Sequence, residues 1–165
     1  MNARRPPLRL PDWVRGWPRR VPRRRLVAAG AAAALLLLLS FWFGGPGRDT
    51  WSQAQILDAI RFVESGDRDD VPDGDGGLAI GPYQIHRVYW QDAIEAEPGL
   101  GGDYEDCRAR DYAERVIAAY MRRWAPGAWR AGDGEVVARV HNGGPRGDTK
   151  PATLGYWQRV RARLP

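Results

Sequence analysis

The stretch TWSQAQILDAIRFVESG, residues 50–66, decides the fold. Leu57, Ile60 and Glu64 recur at the helical spacing i, i+3, i+7, and Ile56 and Val63 widen the stripe beside them. Thr50 followed by Gln53 has the capping-box pattern that opens a helix, and Gly66 is placed to end it. A carboxyl group therefore closes an otherwise apolar face. As a surface residue in a last helical turn, Glu64 would meet only a mildly unfavourable macrodipole. As a general acid in a cleft, it would keep its proton because apolar surroundings disfavour the charged form. The spacing alone fits both readings equally.

Downstream, residues 66–77 (GDRDDVPDGDGG) form an acidic, glycine-rich loop, and LAIGPYQI, residues 78–85, reads as a small hairpin around Gly-Pro. Helices are predicted over residues 87–96, over about Asp106 to Trp124, and from an Asp133 cap through Val136, Val137 and Val140 to Gly143. Pro151 suits the first turn of a last helix carrying Leu154, Trp157 and Val160. The pattern predicts a mainly α (α+β) domain with one small β-hairpin after its first helix, and no internal repeat.

Upstream, residues 26–43 read LVAAGAAAALLLLLSFWF, flanked by Arg19, Arg20, Arg23, Arg24 and Arg25. The run is close to the length of a single membrane span, and the arginine flank retains the N-terminus in the cytoplasm. A cleaved signal peptide is the rival, but Phe41, Trp42 and Phe43 stand where its small exit residues belong. The expected organisation is a basic cytoplasmic tail (1–25), a transmembrane anchor (26–45), a linker (46–50) and an exported domain (51–165) on the periplasmic side of the cytoplasmic (inner) membrane. Residues 1–25 hold nine arginines and one acid, whereas residues 48–165 hold 16 Lys/Arg against 19 Asp/Glu. The basic charge therefore belongs to the tail, and a nucleic-acid groove in the globular part is not supported. Cys107 is the only cysteine, which excludes an intramolecular disulfide, and it lacks a metal-ligand pattern.

Two further segments carry chemistry. Gly81-Pro82-Tyr83-Gln84-Ile85 sets an amide and an aromatic ring at a tight turn, and His141-Asn142-Gly143-Gly144-Pro145 sets polar side chains where a helix ends. Amides and ring faces suit N-acetylated sugars, although either segment alone is ordinary turn chemistry. In order, Glu64-Ser65, GPYQI with YW at 89–90, and RVHNGGP with TLGYW at 153–157 resemble the lysozyme-like superfamily, in particular invertebrate-type lysozymes. The same landmarks are similar to those of lytic transglycosylases. The resemblance covers residues 54–160.

The resemblance implies cleavage of the β-1,4 bond between N-acetylmuramic acid and N-acetylglucosamine in peptidoglycan, with Glu64 as catalytic acid and no cofactor or metal. It implies a substrate-binding set of Ser65, Tyr83, Gln84, His141, Asn142 and Tyr156. The second catalytic carboxylate of invertebrate-type lysozymes aligns with Gly74, which is not an acid; Asp75 is the first substitute and Asp73 the second. Without either, Glu64 would act as acid and then base and leave an anhydro-sugar; with Asp75, water attacks and leaves a reducing end. The alternative is a non-catalytic peptidoglycan-binding or envelope-complex module. His86 reads as a surface or capping residue. A Ser65–His141 nucleophile–base pair has no support in the spacing. Trp90 and Trp157 read first as core residues and second as sugar-stacking ones.

Overall fold

A computed structural model describes residues 49–165 of the chain. The expected anchor at 26–45 and the tail before it lie outside the described residues. No helix among the described residues is long and apolar enough to cross a membrane.

Helix α1 spans Gln53–Ser65. Its cap is Ser52, not Thr50: the Ser52 hydroxyl accepts from Gln55 N–H, and the Gln55 side chain accepts from Ser52 N–H. Two capping boxes overlap in this sequence, and tertiary pairing chooses between them. Thr50 forms an antiparallel bridge with Asp133, and Trp51 N–H donates to Gly132 O at 3.0 Å, so residues 50–51 are held extended. Gly66 ends the helix in the left-handed conformation, as its position implied.

The hairpin consists of β1 (Ala79–Ile80) and β2 (Ile85–His86), antiparallel, with Ala79 opposite His86 and Ile80 opposite Ile85. Gly81 opens its turn at φ 71°, where a Cβ would overlap the backbone of Cys107. Helix α2 follows over Arg87–Ala96, the predicted range. The long helix predicted from Asp106 is two elements: a 3₁₀ segment, Tyr104–Arg108, and helix α3, Arg110–Trp124. Ala109 separates them in an extended conformation.

Helix α4, Pro126–Ala131, has no counterpart in the sequence reading. Six residues are too few for a 3.6-residue period to show, yet Pro126 starts the helix, left-handed Gly132 ends it, and Trp129 anchors it in the core. Helix α5 spans Gly134–Gly143 with Asp133 as its predicted cap, accepting from Val136 N–H. Helix α6, Leu154–Arg161, follows a 3₁₀ turn at Pro151–Thr153, so Pro151 begins that turn and not the helix itself.

The core joins Ile56 and Ile60 of α1, Val116, Ile117 and Met121 of α3, Val137 and Val140 of α5, and Val160 of α6. Burying each such side chain contributes roughly 1.5–3 kcal/mol. Trp157 packs edge-on against Trp51 with centroids 6.1 Å apart, and Trp90 Nε1–H donates to the Tyr112 hydroxyl at 3.0 Å. Both indoles thus serve packing. The core fixes the C-terminal end of α1 against α5 and α6, and that junction carries Glu64.

Candidate active site

A cleft of about 280 Å³ opens between the end of α1, the hairpin and the end of α5. Glu64 comes from α1, Asp75 from the acidic loop, Gln84, Ile85 and His86 from the hairpin, and His141 and Asn142 from α5. Tyr89, from α2, stacks on Tyr120 with centroids 3.6 Å apart and forms part of the wall. A larger depression, about 440 Å³, lies beside Arg61 and Arg110. It is occupied by structural ion pairs: Arg61 with Asp67, and Arg110 with Asp58 and Glu114.

The Glu64 side chain is 19 % exposed, at the mouth of the apolar stripe that the sequence placed behind it. Burial raises its pKa above the ordinary carboxyl value. Opposing that rise, the Tyr156 hydroxyl donates to Glu64 Oε1 at 2.7 Å, and Arg159 and His86 favour the anion electrostatically, while Asp75 disfavours it. The result is a largely buried carboxyl group with a raised pKa and one oxygen fixed.

His141 Nε2 lies 3.8 Å from Glu64 Oε1. Complete burial lowers the His141 pKa to about 4, so near neutral pH the imidazole is uncharged and the contact is not an ion pair. Its Nδ1 lies 3.4 Å from the Tyr89 hydroxyl. His141 therefore shapes the pocket behind Glu64 without supplying positive charge to it.

The hairpin side of the cleft is polar. His86 Nε2 lies 2.9 Å from Asp75 Oδ2, with the two side chains 43 % and 70 % exposed. The Gln84 amide donates to Gly81 O at 3.0 Å, and its oxygen packs so closely on Gly74 that a Cβ there would overlap it. Gly74 N–H also donates to Ala79 O at 2.8 Å, and its own carbonyl accepts from Gly77, Leu78 and Ala79. An acid cannot stand at position 74 without dislodging Gln84, so the carboxylate that reaches the cleft belongs to the next residue, Asp75. Asp73 is turned away and forms a bidentate pair with Arg108 at 2.5 and 3.0 Å, which lowers its pKa.

Of the sequence-predicted residues, Glu64, Asp75, Gln84, His141 and Asn142 share the cleft, with Tyr156 bound to Glu64 from behind. Two do not line it. Tyr83 is fully buried and donates to Glu114 Oε1 at 2.8 Å. Ser65 is buried with its hydroxyl on Arg61 O at 2.9 Å, so it completes the helix end and is not paired with His141. His86, read as a surface or capping residue, is the N-cap residue of α2 without a side-chain cap bond, is 43 % exposed, and also lines the cleft. The signal for it was the hairpin itself, which turns residue 86 back towards residues 74–79.

A largely buried carboxyl group under a tyrosine, facing a polar hairpin across a groove on a helical scaffold, is a lysozyme-like arrangement. The chain belongs to the destabilase family, the invertebrate-type lysozymes, whose match covers residues 54–163. A lysozyme of Ostrea edulis is 41 % identical over 86 residues, covering 51 % of this chain and 59 % of that protein. A lysozyme of Meretrix lusoria is 39 % identical over 109 residues, covering 65 % of this chain and 86 % of that protein. The crystal structure of Aeromonas hydrophila PliI in complex with Meretrix lusoria lysozyme matches with a TM-score of 0.57 at 32 % identity, over 69 % of this chain and 93 % of the matched one.

Proposed function

We propose that this chain hydrolyses the β-1,4 bond between N-acetylmuramic acid and N-acetylglucosamine in peptidoglycan, with Glu64 as the proton donor. The observation that carries the reading is Glu64 itself: a largely buried carboxyl group whose pKa is raised by desolvation, held by Tyr156, at the edge of an open groove. Glycosidic cleavage requires such a donor at the leaving oxygen while positive charge grows at the sugar carbon. Asp75 supplies negative charge from the hairpin side. Asn142, whose side chain has no partner among the described residues, and Gln84 offer amides for the acetamido groups.

The second cleft acid and the lysozyme names of the relatives favour attack by water over anhydro-ring closure. Mass spectrometry of fragments released from purified peptidoglycan by the full-length chain tests this. Reducing ends are expected; anhydro ends would instead make Glu64 both acid and base. The proposed setting is the periplasmic face of the inner membrane, with residues 26–45 as a single-pass anchor and the N-terminus inside. Cell fractionation tests it: the chain should pellet with membranes and resist alkaline carbonate extraction, and release by carbonate would argue against an anchor.

A further inference from the structure

A second depression, of about 310 Å³, opens between the end of α1 and the end of α6. Phe62 and Val63, the two residues before Glu64, line it from α1, and Arg159, Ala162 and Arg163 line it from α6 and its end. No carboxylate among the described residues lines it. The Arg163 guanidinium lies 3.8 Å from the centroid of the Phe62 ring, which is 38 % exposed. The Arg159 guanidinium lies 5.4 Å from the centroid of Tyr156, the ring whose hydroxyl holds Glu64. Arg159 is thus shared: it edges the depression, and its charge acts on Glu64. Residues 48–165 carry 19 acids against 16 bases, and Arg61, Arg108, Arg110, Arg122, Arg139 and Arg161 all pair with carboxylates. Among the described residues, Arg159 and Arg163 form no ion pair. A guanidinium left unpaired beside apolar surface suits a carboxylate, which it can take through two parallel N–H···O bonds.

The muramic acid unit of peptidoglycan carries, on its lactyl group, a short peptide of small residues with free carboxylates. We propose that the depression at Phe62 and Arg163 binds this stem peptide, which makes peptide-bearing strands the preferred substrate over bare glycan. Arg163 and Arg159 take its carboxylates, and Phe62, Val63 and Ala162 take the methyl groups of its alanines. The inference rests on the Glu64 cleft cutting peptidoglycan and assigns a place to the peptide substituent. The two sites adjoin: Val63 precedes Glu64 on α1, and Arg159 follows Tyr156 by one turn on α6. An extended peptide of about four residues spans roughly 13 Å, which covers the short line of contacts from Glu64 through Tyr156 to Arg159.

The test compares two substrates: glycan strands with their stem peptides intact, and the same strands stripped by an amidase. The full-length chain should cleave intact strands with a kcat/KM roughly tenfold higher, the worth of one hydrogen bond to a charged group. Arg163→Gln, an exposed change outside the Glu64 cleft, should erase most of that preference by raising KM on intact strands. Its kcat/KM on stripped strands should stay within about twofold of the unmutated chain. Equal kcat/KM on both strands, or an Arg163→Gln loss that is the same on both, would overturn the proposal. Full-length Glu64→Gln reads binding without turnover and separates the two readings. It should hold intact strands roughly tenfold more tightly than stripped ones, and adding Arg163→Gln should abolish the difference. Cleavage that survives Glu64→Gln defeats the proton-donor assignment, whereas Glu64-dependent cleavage indifferent to stem peptides defeats only the present inference.

Discussion

The Tyr156 hydroxyl donates to Glu64 Oε1 at 2.7 Å, joining the first and last helices of the domain across 92 residues of sequence. That bond favours the carboxylate against the desolvation that disfavours it. Tyr156→Phe removes the donor and keeps the ring, so Glu64 should hold its proton to higher pH. The alkaline limb of the pH–rate profile should move upward, with a stability loss of about 1 kcal/mol. An alkaline limb that stays in place would mean that another group sets it.

Gly74 is pinned beneath the Gln84 amide. Gly74→Ala should push that amide off Gly81 O and out of the cleft, while the surrounding core is untouched. Fragment release is expected to fall by roughly tenfold, the equivalent of one hydrogen bond to substrate, with a stability change of only about 1 kcal/mol. Turnover assays beside thermal melts check both halves. Unchanged turnover would remove Gln84 from the binding surface.

Burial holds His141 neutral, with its pKa lowered to about 4. In the unfolded chain the same group takes up a proton near its ordinary value of 6.5. Between those pH values the unfolded state binds more protons, so His141 adds stability above pH 6.5 that is lost as pH falls towards 4. Its contribution spans up to about 3 kcal/mol. Glu64, with its raised pKa, titrates with the opposite sign: its protonated form is favoured on folding, so its contribution fades as pH rises. Denaturant titrations of the unmutated chain and of His141→Gln across this range isolate the histidine. The unmutated chain should lose more stability on acidification than the variant, and equal losses would contradict a buried neutral imidazole.

The first helix and the position of Glu64 on it were legible because both depend on local period: Leu57, Ile60 and Glu64 share a face whatever packs against it. Asp133, Gly66 and the helix at 87–96 were legible for the same reason, since caps and short amphipathic repeats are written within a few residues. What escaped depends on contacts distant in sequence. The cap moved from Thr50 to Ser52 because Thr50 pairs with Asp133. Tyr83 left the cleft for Glu114, 31 residues away. His86 meets a loop partner, Asp75, that only the hairpin register brings to it. Asp73 pairs with Arg108 while Asp75 lines the cleft, an arrangement no spacing rule announces.

Glu64→Gln tests the central assignment most directly, because it keeps shape and hydrogen bonding while removing the transferable proton. Turbidity of a peptidoglycan suspension, followed with the full-length variant, should remain constant, while co-sedimentation with the wall stays at the level of the unmutated chain. Clearing at a rate close to that of the unmutated chain would show that the proton comes from elsewhere and would contradict the account.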